Sequence, residues 1–216
     1  MTTAALPRIV LDVGCGQPSP LKLHPAFRRP GWREIRLDVS PDVAPDLLAD
    51  MTDMRAVVPD ASVDAVWSSH NLEHLEAHRV PVALAEFARV LRPDGFALVT
   101  CPDLEAIARF LASNDADAVA YSSPSGPITA IDMLWGHGAS LAAGAGAMAH
   151  RTGFTRHRLG RLALAAGFGE VHAAVRGFDL WALLMMPKAT TAALVPLFAD
   201  TPQRFLLPDL DAPPPA

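Results

Sequence analysis

Two cysteines in 216 residues, Cys15 and Cys101, are too few for a disulfide framework or a cysteine-based zinc site. Both end apolar runs and read as small buried residues; Cys101 as a covalent nucleophile is the weaker alternative. Nothing supplies the about 20 consecutive apolar residues of a membrane-spanning helix. Residues 133–149 contain His137 and several glycines, and residues 181–198 are interrupted by Pro187, Lys188 and Pro196. The mean hydropathy of +0.22 partly reflects abundant alanine. No basic region leads into an apolar run at the start, which argues against a secretory signal and makes the cytoplasm the expected location. Excess positive charge is missing too, with a formal net charge of −5. A nucleic-acid partner, which needs a concentrated basic face, is therefore not expected. The cluster Arg151, Arg156, His157, Arg158 and Arg161 has the spacing of a solvated helix face. No internal repeat is present, and the length suits one well-buried domain.

What is present is alternation. Residues 8–13 form an apolar, β-branched run that stops at Gly14-Cys15-Gly16, the pattern of a strand entering a tight turn. Pro18, Pro20, Pro25 and Pro30 follow, where a long helix is hard to sustain. Further strands are predicted over 34–37, 47–49, 62–68 and 96–101, and helices over 80–91 and 104–111. Arg92-Pro93-Asp94-Gly95 is a turn signal. Residues 155–166 read as a helix with Gly167 suited to its C-terminal cap. Residues 170–175 and 178–186, separated by Arg176-Gly177, read as a hairpin. Between these lie residues 113–153, rich in Gly, Ala and Ser, which give no regular pattern. A segment of that length inside a compact domain is usually a lid or binding loop. The expected division is a domain over 1–188, with 113–153 as an insertion, and a C-terminal extension over 189–216 whose proline-rich last residues are disordered. Strands alternating with helix-sized connections imply an α/β fold on a mostly parallel sheet.

Five landmarks in this order resemble the class I S-adenosylmethionine-dependent methyltransferases, most closely the broad group that includes the quinone-biosynthesis enzymes. They are Leu11-Asp12-Val13-Gly14-Cys15-Gly16 after the first strand, Asp38 after the second and Asp50-Met51 after the third. Leu72-Glu73-His74-Leu75 follows the fourth, and residues 86–95 precede the fifth. The resemblance spans residues 8–187. It implies a Rossmann-like sheet ending in an antiparallel hairpin, S-adenosylmethionine as cofactor and S-adenosylhomocysteine as product. By that resemblance Asp12, Gly14, Cys15, Gly16, Asp38, Val39, Asp50, Met51, Ser68 and Ser69 bind the cofactor. Asp38 would accept both ribose hydroxyls and Asp50 the adenine amino group; as alternatives, these carboxylates cap a turn and a short helix. Asp12 would lie near the methionine end.

The third glycine of a dinucleotide-binding G-x-G-x-x-G is replaced in Gln17-Pro18-Ser19-Pro20, which disfavours a nucleotide-dependent oxidoreductase. The segment after the fourth strand, Ser68-Ser69-His70-Asn71, lacks the Asn/Asp-Pro-Pro-aromatic motif of enzymes that methylate base or amide nitrogens. His70-Asn71-Leu72-Glu73-His74 also spells the H-x-x-E-H of some zinc peptidases, but no downstream helix offers a third ligand, and no metal is implied. Should the acceptor need deprotonation, His70, His137 and His150 are the candidate bases. A small-molecule or glycan-type acceptor is expected, capped by residues 113–153, by the proline-rich loop or by a second subunit of a homodimer. The alternative is a methyltransferase-like binding protein without turnover.

Overall fold

A computed structural model describes residues 6–207. Seven strands form one sheet: β1 (Arg8–Val13), β2 (Trp32–Asp38), β3 (Leu47–Leu48), β4 (Val63–Ser69), β5 (Leu91–Pro102), β8 (Glu170–Arg176) and β9 (Asp179–Met185). A separate two-stranded ribbon pairs β6 (Val119–Ser123) with β7 (Gly126–Thr129). The helices are α1 (Val80–Val90), α2 (Leu104–Leu111), α3 (Ala130–Trp135), α4 (Gly138–Ala142), α5 (Arg156–Ala165) and α6 (Thr191–Phe198). The sheet order is β3-β2-β1-β4-β5-β9-β8. The first five strands pair in parallel, whereas β9 runs antiparallel to both β5 and β8. This is the expected Rossmann-like sheet with a terminal hairpin.

The central strands are buried on both faces, so alternate residues feed two cores. Leu11, Val13, Val66, Ala97 and Val99 face one core with Leu84, Phe87 of α1 and Leu159, Ala163 of α5. Val10, Ala65, Trp67, Phe96 and Leu98 face the other. As the prolines require, no α-helix joins β1 to β2; a single 3₁₀ turn, Pro25–Arg28, supplies Ala26 and Phe27 to that second core. The rest of the cover comes from the far end of the chain, where Leu194, Leu197 and Phe198 of α6 and Leu206 and Leu207 pack on Phe96 and its neighbours. Residues 189–207 thus roof the sheet where a first crossover helix would otherwise lie. The expected disorder at the chain's end falls on residues 208–216, outside the described ones.

Two segments differ from their expected form. Arg92-Pro93-Asp94-Gly95 does not end one element and begin another; it is an irregular stretch within β5, where register jumps from Val63↔Leu91 to Ala65↔Phe96. Residues 113–153 are not irregular but hold the β6–β7 ribbon and the short helices α3 and α4. Ile128, Ala130 and Met133 from that segment make a satellite core with Ile107, packed by Phe110 and Phe178. Gly and Ala outnumber the apolar anchors there, so no periodicity betrays the elements; long-range packing creates them.

Candidate functional site

The strand order reverses between β1 and β4, and in such sheets a crevice opens at the carboxyl ends of the strands there. Beyond Val13 the chain turns back sharply. The amides of Gly14 and Cys15 donate to the Leu37 carbonyl at 2.8 and 3.2 Å. Gly14 and Gly16 have φ of +66° and +58°, the left-handed region that favours glycine. A Cβ on Gly14 would also lie 2.2 Å from Asn71 Oδ1. Asn71 is there because its Nδ2 donates to the Val13 carbonyl at 2.7 Å, tying the end of β1 to the chain after β4. Asp38, 9% exposed, accepts from the Gly16 amide through Oδ2 and from the Ser40 amide through Oδ1, both at 2.9 Å. Arg36 secures the same turn by donating to the Gly16 carbonyl at 2.6 Å.

Asp12 and Asp50 have opposite electrostatics. Burial, then hydrogen bonding to Glu34 and repulsion from it, push the Asp12 carboxyl up to about 8. Asp50 accepts from the Thr52 amide at 2.8 Å, the Thr52 hydroxyl at 2.7 Å and Arg79 at 2.7 Å. Its partial burial favours the neutral form, but these donors outweigh it and hold the carboxyl below its usual value. Burial pushes both thiols up, Cys15 to about 11 and the fully buried Cys101 well above its ordinary value, which disfavours the reactive thiolate at each.

Past β4, His70 sits at φ +52°, a conformation uncommon outside glycine. Its Nδ1 lies 3.2 Å from Glu73 Oε1 and its Nε2 3.6 Å from Asp179 Oδ1. Burial disfavours its charge, but the two carboxylates prevail and raise its pKa. Glu73 is 1% exposed. Ser69 opens toward the crevice, while Ser68 is fully buried with its hydroxyl unpartnered.

One cavity of about 1280 Å³ gathers most of these groups. Asp12, Gly14, Cys15, Gly16, Asp38, Val39, Asp50, Met51, Ser69 and His70 line it; Ser68 does not. His137 and His150 are also off its wall. His137 Nδ1 pairs with the Ser140 hydroxyl at 2.9 Å, and His150 Nδ1 with the Met133 carbonyl at 2.9 Å. Residues 144–148 and Arg151, the last part of the 113–153 segment, form another wall. That wall is fastened to the chain after β4, because the Arg151 amide donates to the Glu73 carbonyl at 2.7 Å and its guanidinium pairs with Glu76 at 2.5 Å. The sequence reading missed Lys22, Arg79, Trp181 and Gln203, all on the wall. Arg79 could have been suspected as a cation near an acidic strand end. Trp181 stacks on Trp67 with centroids 6.0 Å apart and Gln203 bonds His24 at 2.6 Å, contacts with no local signal.

Residues 11–99 match the family of the methyltransferase domain. Among solved structures, the fold is similar to that of a SAM-dependent methyltransferase from Archaeoglobus fulgidus, with a TM-score of 0.54, 15% identity, and 83% of this chain and 86% of that one covered. It is also similar to the Burkholderia thailandensis 1,6-didemethyltoxoflavin-N1-methyltransferase bound to 1,6-didemethyltoxoflavin and S-adenosylhomocysteine. There the TM-score is 0.50, the identity 17%, and the coverage 84% of this chain and 72% of that one. A TehB-like SAM-dependent methyltransferase from Corynebacterium glutamicum gives 0.50 and 18%, covering 85% and 82%. At such identities the likeness is one of fold. No curated protein matches the sequence.

Proposed function

From the match of residues 11–99 to the methyltransferase domain, we propose that this chain uses S-adenosylmethionine to methylate a small molecule held in the same cavity as the cofactor. The observation that carries the reading is the size and make-up of that cavity. Single-ligand pockets run to ~300–1,000 Å³; this one is about 1280 Å³ and carries both the strand-end carboxylates Asp12, Asp38 and Asp50 and the histidines His70 and His74 on its wall. A carboxylate offers about four acceptor positions; Asp38 accepts from the glycine turn on Oδ2, through the Gly16 amide with the Cys15 thiol at 4.0 Å, and from the Ser40 amide on Oδ1. The remaining positions can take the two ribose hydroxyls. Met51 and Val39 offer apolar contact for the adenine ring, with Asp50 held ionised beside it by Arg79. The Gly14-Cys15-Gly16 turn lets backbone approach the cofactor where a side chain would obstruct it. Asp12 belongs to the methionine end.

The bound cofactor supplies an electrophilic methyl group, which transfers by in-line displacement. The chain's part is alignment, worth up to about 7–11 kcal/mol, and removal of the acceptor's proton where the nucleophile is a hydroxyl or protonated amine. His70 is the group we assign to that step: it lines the cavity, and Glu73 at Nδ1 would stabilise the imidazolium it becomes. Residues 144–148 and Arg151 would close the acceptor side, the part assigned to the 113–153 segment. Titrating S-adenosylmethionine calorimetrically into the wild type and Asp38→Ala tests the reading. Loss of the carboxylate is expected to weaken binding by about 1.5–3 kcal/mol, or ten- to hundredfold. A folded wild type that binds no S-adenosylmethionine would overturn it.

A further inference from the structure

Apart from the pairing of Glu73 with His70, a group of three side chains beside His70 has no role in the reading above. Glu73 and His74 lie on the 3₁₀ turn Leu72–His74, and His150 ends the loop that walls the cavity. Each offers a ligand atom within 4.8 Å of the other two. The imidazole centroids are 5.1 Å apart. Both rings have their tautomer fixed. His74 Nδ1 lies 3.2 Å from the Ala149 carbonyl, and His150 Nδ1 lies 2.9 Å from the Met133 carbonyl. A carbonyl only accepts, so each Nδ1 carries the proton and each Nε2 keeps its lone pair. Metal-bound histidines have this arrangement, the second nitrogen donating to a backbone carbonyl or carboxylate. Glu73 adds an independent sign. Its carboxylate is buried, Oε1 faces His70, and Oε2 has no hydrogen-bond partner. Buried carboxylate oxygens are rarely left so unless an ion or water completes them.

We infer that Glu73, His74 and His150 form a binding site for a divalent transition-metal ion, with Zn²⁺ the plainest occupant. Two histidines and one carboxylate are a donor set such ions accept, with coordination positions left open. Bonds of about 2.1 Å at tetrahedral angles place ligand atoms about 3.4 Å apart, so the ion would draw the rings closer than the 4.8 Å limit. The backbone is already secured, because the Arg151 and Thr152 amides both donate to the Glu73 carbonyl, at 2.7 and 3.2 Å. The H-x-x-E-H pattern is therefore a metal motif in a different sense from the peptidase one. Residues 72–74 make one 3₁₀ turn rather than a helix with two histidines on one face, and the third ligand comes from 76 positions downstream of His74, at His150. His74 lines the cavity, so an open coordination position can meet an oxygen or nitrogen of the acceptor; that clause alone rests on the methyl-transfer reading.

The test uses tag-free full-length protein stripped with chelator, without S-adenosylmethionine. Zn²⁺ is titrated by calorimetry and Co²⁺ by its visible absorption. One equivalent should bind, and Zn²⁺ should raise the melting temperature of the wild type. His150→Ala and His150→Gln should each weaken Zn²⁺ at least about 100-fold, beyond the 10–100-fold typical of outer-shell changes, with His157→Ala unchanged. Melting curves of the metal-free variants establish that they fold. No Zn²⁺ binding by the wild type, or undiminished binding by either folded His150 variant, overturns the site. Because S-adenosylmethionine binding is measured separately, either inference can fail alone.

Discussion

The acidic end and the histidine end of the cavity are assembled by different means. Asp12 and Asp38 lie at the ends of β1 and β2, and the glycine turn and Asp50-Met51 follow β1 and β3; near neighbours and adjacent strands supply most of their hydrogen bonds, with Asn71 and Arg79 as the longer-range ties. The histidine end takes His70, His74, Met148, Arg151, Trp181 and Gln203 from segments scattered over more than half the chain. Contacts such as Arg151–Glu76 bridge 75 positions to complete it. A part built from strand termini is set by the fold itself. An end built from loops and the C-terminal segment is where an acceptor preference can be set without disturbing the sheet.

If the two ends divide the labour in this way, the largest effect is at His70. His70→Asn is expected to lower kcat by about 10²–10⁴-fold, the usual worth of a positioned base, while the Kd for S-adenosylmethionine stays within about twofold. An unchanged kcat would mean that the acceptor arrives already deprotonated. Loss of cofactor affinity instead would mean that the two ends are not separable.

Next comes Asp12, at the other end. Its carboxyl is raised from 3.8 to about 8 in the fold, so the native state holds the proton more tightly than the unfolded chain. The contribution is therefore complete below about pH 4 and is lost as pH rises toward 8 and beyond. Asp12→Asn should then melt above the wild type at pH 9 and close to it at pH 4.5. Parallel melting-temperature profiles for the two proteins would show that Asp12 does not carry this proton.

This contrast also explains what could be read in advance. The sheet, its hairpin and the three strand-end acids were legible because strand patterning, turn glycines and their spacing are local. A proline-rich run also correctly signalled a missing helix. What replaced that helix was not legible: Leu194, Phe198 and Leu206 reach Phe96 through tertiary packing alone. The β6–β7 ribbon and α3 hid for the same reason, their Ile128 and Met133 anchored by Ile107 and Phe178 across a stretch of small residues. His137 and His150 were plausible by residue type, yet their rings turn to Ser140 and Met133 and leave the cavity wall to His70 and His74.

A smaller effect is expected at Asp38. Asp38→Ala should lower S-adenosylmethionine affinity about ten- to hundredfold and leave kcat at saturating cofactor within a few-fold. Equal falls in both would place the carboxylate in the transition state rather than in ground-state binding.

The smallest effect probes the loop wall, and it bears most directly on the division between the ends. Met148 is 45% exposed and lines the cavity from the loop. Methionine is an adaptable apolar contact, and truncating one to alanine where a ligand covers it removes on the order of 1 kcal/mol of burial. Met148→Ala should therefore raise the acceptor KM about fivefold and leave both kcat and the Kd for S-adenosylmethionine unchanged. A change in cofactor Kd with no change in acceptor KM would reverse the assignment, making the 144–148 wall a cover for the cofactor and moving the acceptor toward Trp181 and Gln203.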